Sequence, residues 1–518
     1  MLGGGATGAG VVRDAAMRGF RATLVERVDL GQGTSGRYHG LLHSGGRYVV
    51  TDPHSARECA EENAIVKRIA PAAVEATGGV FVTTPFDDPA YADAFPARCA
   101  ECGVRAEEIE VAEALAREPR LNPGIRRAFT VDDAALDVWV LLWGNARSAE
   151  AHGATILTYH WVTEVLRDGD AVAGVVCRDD RSGEDVRIEA GFTINATGVW
   201  AGQLAAMAGC RDVGVVPGRG IMIAMNHRLV NRVVNRCDLP GDGDILVPIR
   251  TVSVIGTTDT RAEDPDDLSI PSHEVQAMLD AGEQLVPGFR RARALHVWVG
   301  ARPLFDESHG EGEDTHHMTR DIALIDHAAR DGVTRFLTVT GGKATTYRLM
   351  AEMAVNAMCR HLGVDRPCRT ADVPLAGSED GDLMELGDRL AGQERRLFDD
   401  QLVCECELVP RGAVSAAVRR EGRMTLDDVR RTLRLGMGPC QGGFCTYRAA
   451  GILHGEGGAD AGRASELLVR FLHHRWGGIQ PILYGDQMRQ AVLDEWIFQG
   501  LLDVGHLPGV GDMALERA

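Results

Sequence analysis

Apolar and polar positions along the chain fall into short blocks separated by glycine turns. Gly3-Gly4-Gly5-Ala6-Thr7-Gly8 leads into small and apolar residues from Ala9 to Met17 that stop at Gly19, a pattern that predicts a helix. Ala22-Thr23-Leu24-Val25-Glu26 is an apolar run closing on an acid, as in a buried parallel strand. Arg187 to Thr197 and Arg335 to Thr340 read as strands running into glycine turns, and Val138 to Trp143 and Ile245 to Ile249 as core segments. Strand and helix patterns in alternation predict an α/β fold with a largely parallel sheet. Polar residues dominate from about 375 to 400, as in Gly377-Ser378-Glu379-Asp380-Gly381-Asp382, which predicts a linker over 376–400. Four clustered cysteines follow, and the stretch from Ser465 onward, rich in Ala, Leu and Arg, reads as helices.

Composition adds limits to this outline. The 518 residues are 45% hydrophobic and 25% charged, which is globular and long enough for two or more domains. Lys and Arg number 55 against 74 Asp and Glu, and the net charge of −19 argues against a nucleic-acid or anionic-lipid partner. Aromatic residues at 5% leave few stacking platforms for bases. No apolar window approaches the length of a spanning helix, and neither a basic nor an apolar signal segment follows Met1. A reducing, cytosolic setting is therefore expected, in which the 12 cysteines do not form structural disulfides. Eight of these are scattered, while Cys404, Cys406, Cys440 and Cys445 are clustered.

The glycine-rich start is a GxGxxG turn of Gly3, Gly5 and Gly8. In a dinucleotide site the first glycine permits the tight turn, the second lets the backbone approach a pyrophosphate, and the third packs helix on strand, with the helix N-terminus facing the phosphates. Glu26, 18 residues past Gly8, stands where a carboxylate would accept hydrogen bonds from a ribose. The competing reading is a glycine turn that holds no ligand. A strand should precede the first glycine, and only Met1 and Leu2 do. The sheet is thus expected to lack its central strand, and the natural protein to start roughly five to eight apolar residues upstream.

Gly33-Thr34-Ser35-Gly36-Arg37-Tyr38-His39-Gly40-Leu41-Leu42-His43-Ser44-Gly45-Gly46-Arg47-Tyr48 is more distinctive. Together with Asn195 to Trp200, Ile255 to Asp259, Gly300 to Leu304 and Thr340 to Arg348, in that order and spacing, it resembles the FAD-dependent glycerol-3-phosphate dehydrogenases over nearly the whole chain. With the C-terminal cysteines the resemblance is strongest to the A-subunit branch of the anaerobic, three-subunit enzymes. It implies a Rossmann-like FAD-binding fold of the D-amino-acid-oxidase-like superfamily over 1–375. The FAD-binding parts would lie at about 1–80, 145–220 and 325–360, with an α+β substrate region between them.

The chemistry implied is oxidation of sn-glycerol 3-phosphate to dihydroxyacetone phosphate, with hydride passing from C2 to flavin N5. By motif position, the resemblance implies that Gly3, Gly5, Ala6, Thr7, Gly8, Glu26, Thr34, Ser35, Gly40, Leu41, Val162, Thr197, Gly198, Gly342, Lys343, Ala344 and Thr345 hold FAD. Without its first strand, the chain is expected to bind FAD weakly or to express poorly. A phosphomonoester needs fixed cations, preferably guanidinium forks. Arg302, in the apolar run Trp298 to Leu304, and Arg320 are the implied phosphate ligands, with Arg47 and Tyr48 near the substrate. An arginine in such a run needs an anion partner. Lys343 would reach both the flavin edge and the substrate oxygen. His43 is a candidate for taking the C2 hydroxyl proton. The structural alternatives are an Arg320 ion pair with Asp321 or Glu313, and a His43 packed against the cofactor or the core.

Cys404-Glu405-Cys406, then 33 residues, then Cys440-Gln441-Gly442-Gly443-Phe444-Cys445 forms a C-x-C and C-x4-C pattern. Zinc knuckles seldom use C-x-C. The spacing resembles the [2Fe-2S] domain of bacterioferritin-associated ferredoxin, which places that domain at 401–455 and a helical tail at 456–518. Residues 401 to 450 hold eight arginines and no lysine against five acids, a basic surround suited to an anionic cluster. Thr425 with Asp428 reads as a capping box. Zinc and free thiols remain as alternatives.

The partners implied are a second flavin or accessory subunit, an iron–sulfur membrane-anchor subunit, together with a quinone acceptor, and peripheral attachment at the inner face of the cell membrane. Two other readings stay open. One is a related flavoprotein acting on a 2-hydroxy acid or an amine, and the other a non-catalytic electron-transfer subunit. The two phosphate-binding arginines discriminate against the first, since a carboxylate substrate needs only one such clamp, and Arg47, Arg302 and Lys343 together count against the second.

Overall fold

The computed structural model describes residues 1–306, 315, 318, 321–378, 386–395, 400–421, 424–508 and 510. Its dinucleotide sheet grows from the short apolar runs. Thr155–Leu157 pairs parallel with Thr23–Val25, Thr193–Asn195 pairs parallel with Phe336–Gly341, and Ile322–Asp326 closes the far edge antiparallel. Leu2 fills the slot between the two halves, bridging Val25 and Asn195 in parallel. The backbone pairing expected to be missing is made by the first residues themselves. Leu2 N donates to Ile194 O at 2.9 Å, Ala196 N to Leu2 O at 2.9 Å, and Gly3 N to Val25 O at 2.9 Å.

The helix Ala6–Met17 follows the turn, ending before Gly19 at φ +78°, and packs between the helices Val138–Ala151 and Tyr347–His361. The run Arg187 to Thr197 is not one strand. Asp185–Glu189 belongs to an antiparallel meander with His160–Asp168 and Ala171–Asp179, and Thr193–Asn195 to the dinucleotide sheet. The residues between them, Ala190 to Phe192, carry the chain from one sheet to the other.

The largest sheet also departs from expectation. Its nine strands run in the order Thr260–Arg261, Val215–Met225, Val252–Gly256, Ile245–Ile249, Val233–Arg236, Gly79–Thr83, Arg127–Val131 and Ala106–Ile109, with Ala294–Phe305 paired to Val215–Met225. Only Val233–Arg236 and Gly79–Thr83 pair in parallel. The remainder is antiparallel because tight turns such as Arg250-Thr251 join neighbours directly, without crossover helices. One side packs on the helix Ser272–Leu285 through Val275, Met278 and Leu279.

The expected linker lies partly outside the described residues, and Leu386–Glu394 within it is helical. A two-stranded ribbon of Leu402–Cys404 and Val409–Pro410 then carries the helices Arg411–Glu421, Leu426–Leu433 and Cys445–Gly455. Thr425 and Asp428 form the capping box at the start of the second of these. The helices Ala461–Ile479 and Asp486–Glu495 follow, and the core of this part joins Val403, Leu426 and Leu453 to Leu467, Leu468 and Phe471.

Buried ion pairs and hydrogen bonds tie this part to the N-terminal part. Arg431 Nε lies 2.9 Å from Asp29, three residues past Glu26, and Tyr159 donates to Asp428 at 2.5 Å. Asp137 and Glu407, both fully buried, share Arg434 and Arg250 at 3.3–3.7 Å.

Candidate active site and cluster site

A cavity of about 960 Å³ runs from the glycine turn to the large sheet. At one end the turn is too tight for side chains. Gly3 has φ +99°, a Cβ on it would stand 2.6 Å from Ala196 O, and one on Gly8 would stand 1.9 Å from Gly3 O. Gly4 N donates to Glu26 Oε2 at 2.6 Å and Val28 N to Oε1 at 3.1 Å. Burial raises the Glu26 pKa, and these two N–H groups oppose the rise. Ser35 Oγ accepts from Ala6 N at 2.9 Å, and Thr34 Oγ1 donates to Ala301 O at 2.5 Å, so the second loop is held over the helix start. A helix N-terminus, a buried carboxylate at a strand end and a cradle without room for Cβ atoms fit a dinucleotide.

At the other end the cavity becomes a cationic chamber. The turn Gly46–Tyr48 presents Arg47, whose guanidinium is paired with the buried Asp244. Arg302, on the strand Ala294–Phe305, donates Nε to Gly218 O at 3.1 Å and Nη2 to Thr258 O at 3.1 Å, and its Nη2 is 2.7 Å from Asp259. The anion partner expected for Arg302 is therefore present within the protein. Lys343 Nζ donates to Ser55 Oγ at 2.9 Å and sits 5.1 Å from the centre of the Tyr48 ring. The His43 ring lies 5.3 Å from Tyr48 and 6.0 Å from His39. Burial, reinforced by Arg47 and Arg302, pushes His39 down to about 3, so it is neutral at working pH.

Of the expected cofactor residues, Gly3, Gly5, Ala6, Thr7, Glu26, Thr34, Ser35, Val162, Thr197, Gly198, Gly342, Lys343 and Ala344 line this cavity. Gly8, Gly40, Leu41 and Thr345 sit behind its wall. Gly40, at φ +86°, abuts Ile249, Leu41 is buried, and Thr345 Oγ1 accepts from His43 N at 3.0 Å. Arg320 lies outside the described residues. Sequence reasoning missed His39, Asp244, Asp259, Ser55 and Arg37, all close to or within this wall. Asp259 and His39 stood inside the quoted motifs, and Asp244 had no local signal because its partner Arg47 is remote in sequence.

The four clustered cysteines converge. Cys404 and Cys440 are drawn down, Cys440 to about 2, by hydrogen bonds from the neighbouring thiols Cys445 and Cys406, which are pushed up in turn. The sulfurs pair in a chain, Cys404 with Cys445, Cys445 with Cys440 and Cys440 with Cys406. Thiols brought together so can all ionise only around cations, so the donor set fits an iron–sulfur cluster. Gly438 is required, since a Cβ there would stand 2.4 Å from Cys406 Cβ. Cys210, His327 and Asp331 form a second group of suitable atoms. There His327 is already held by Asp331 at 2.7 Å and Thr338 at 2.8 Å, and Asp331 by Arg211 and Arg330.

Comparison with known proteins bears on both sites. Residues 2–348 match the family model of FAD dependent oxidoreductases, and residues 402–454 that of the BFD-like [2Fe-2S] binding domain. The chain is 43% identical to the A subunit of anaerobic glycerol-3-phosphate dehydrogenase from Escherichia coli K12, covering 97% of this chain and 96% of that one. It is 41% identical to the A1 subunit of the Haloferax volcanii enzyme of the same name, covering 100% and 92% respectively. Among solved structures, glycerol-3-phosphate dehydrogenase from Bacillus halodurans complexed with FAD is similar in fold, with a TM-score of 0.57 and 21% identity over 97% of this chain and 89% of that one.

Proposed function

Because the chain belongs to the FAD dependent oxidoreductases, in the family of the anaerobic glycerol-3-phosphate dehydrogenase A subunits, we propose that it oxidises sn-glycerol 3-phosphate to dihydroxyacetone phosphate. FAD at the cavity would accept hydride at N5 from C2, and the [2Fe-2S] cluster would take the electrons singly toward a partner. The observation that carries the reading is the convergence of Arg47, Arg302 and Lys343 on one chamber beyond the glycine turn.

The chain's own residues would divide the work. Arg302, held in place by its carbonyl partners and Asp259, binds the phosphate. Arg47 and Tyr48 close the opposite side, with Arg320 as a further phosphate ligand. Lys343 holds the substrate oxygen and places a cation at the flavin edge. His43 takes the hydroxyl proton, beside a His39 that stays neutral and so adds no repulsion.

The electron acceptor in this reading is a quinone, reached through two partners, one accessory and one an iron–sulfur membrane anchor. Among the described residues no helix is long and apolar enough to cross a membrane, which agrees with attachment through a partner. Flotation with protein-free liposomes tests this, since tight binding of the purified chain would contradict it. Anaerobic addition of glycerol 3-phosphate should bleach the bound flavin, and a flavin that stays oxidised would overturn the assignment.

A further inference from the structure

The helical tail after the cysteine domain carries a buried guanidinium whose two terminal nitrogens make no hydrogen bond among the described residues. Arg475, on Ala461–Ile479, is 6% exposed, and neither Nη1 nor Nη2 has a hydrogen-bond partner among the described residues. It occupies the apolar stripe that Leu467, Leu468 and Phe471 use to pack on the cysteine domain. Burial pushes its pKa down only to about 10, so it remains a cation at neutral pH. A guanidinium in such a place costs several kcal/mol unless an anion faces it.

What it faces is the loop that bears two of the cysteines. A Cβ on Gly442, where φ is +93°, would stand 3.1 Å from Arg475 Nη1, so the loop's second residue after Cys440 is open to the guanidinium. Cys440 and Cys445 are both among the groups that act on its charge. The acid that acts most on its charge is Asp494, which lies at the same loop, where a Cβ on Gly443 would stand 2.5 Å from its Oδ1. That oxygen accepts from Gln490 Nε2 at 2.9 Å, and Asp494 makes no hydrogen bond to Nη1 or Nη2 of Arg475. Arg293, the other cation at this loop, is used up differently, donating Nη2 to Pro439 O at 2.7 Å.

We propose that Arg475 is a positioning residue for the iron–sulfur cluster, its guanidinium facing the sulfurs of the Cys440–Cys445 side and raising the cluster's reduction potential. Four thiolates on a diferric cluster leave a net negative charge that grows on reduction, so a fixed cation favours the reduced state more than the oxidised one. The tail is then part of the electron-transfer site, and not a bystander packed against it. The inference rests on the cluster being bound by the four cysteines.

Its test is a redox titration of the full-length holoprotein, followed by the electron paramagnetic resonance of the reduced cluster, with iron and sulfide measured in the same samples. In Arg475→Met the one-electron equilibrium should shift against reduction by about tenfold, or about 59 mV. Arg475→Lys should recover most of the shift, which a packing role would not predict. An unchanged midpoint in Arg475→Met at full iron content overturns the proposal. Iron missing from the unmutated protein would instead overturn the cluster assignment. Should Arg475→Met fail to hold iron, the decision passes to unmutated holoprotein grown with nitrogen-15 arginine. An arginine nitrogen coupled to the reduced cluster supports the proposal, and its absence overturns it.

Discussion

Arg302 and Asp259 form an ion pair of 2.7 Å in which the carboxylate is almost wholly buried and the guanidinium only partly so. The exposed part of the cation faces the chamber, while Asp259 fixes it from behind. Arg302→Ala should therefore act twice. It should cost on the order of 2 to 5 kcal/mol in kcat/KM for glycerol 3-phosphate, and lower stability by removing the cation beside the buried Asp259, which keeps its hydrogen bond from Thr315. Arg302→Met with Asp259→Asn should restore stability to denaturant without restoring turnover. Near-normal kcat/KM in either variant would sink the phosphate role.

A second expectation concerns the cysteines. With Cys440 changed to Ser, glycerol 3-phosphate should still bleach the flavin anaerobically, while reduction of the physiological acceptor should fail. Loss of flavin reduction itself would mean that the cluster holds the flavin site together.

The glycine turn gives a third. A methyl group at Gly8 has no room beside Gly3 O, so Gly8→Ala must push the helix Ala6–Met17 off the turn. Purified Gly8→Ala should carry little FAD by its absorbance per chain. Flavin content equal to that of the unmutated protein would show that the turn yields.

A fourth concerns pH. His296 lies between the large sheet and the tail, its ring so close to Gly478 that a Cβ there would overlap it. Burial, with Arg430 and Arg475 adding repulsion against the opposing Asp427, pushes it down from 6.5 to about 3. The unfolded chain takes up this proton below its ordinary pKa and the folded chain does not, so the stability contributed is complete above about 6.5 and is lost as pH falls toward 3. Denaturant midpoints of His296→Leu should fall less steeply across that window than those of the unmutated protein. Parallel curves would refute it.

Much of the local order was legible in the sequence. The Thr425–Asp428 box rests on contacts within a short stretch of chain and forms as expected, and the helix after the glycine turn runs over Ala6–Met17 as its pattern predicts. The large sheet was less legible. An apolar run such as Ile245–Ile249, buried at every position, looks the same in a parallel as in an antiparallel sheet, so pattern could not decide its neighbours. The roles of Asp244 and Arg475 depend on pairings across hundreds of residues or on a group outside the chain. For Arg475 a signal existed in the charge set within an apolar helical stripe.

The ion pairs between Arg431 and Asp29, and among Asp137, Glu407, Arg434 and Arg250, have a consequence for how such a protein can be divided. Burial holds Asp29 at about 6 even with Arg431 beside it. A flavin half expressed without residues 401–518 would leave Asp29 without Arg431, and Asp137 and Arg250 with only each other once Arg434 and Glu407 are gone. The cluster segment thus completes ion networks that the flavin part begins, and its removal leaves Asp29 as the one acid of that set whose paired cation lies wholly in the lost segment.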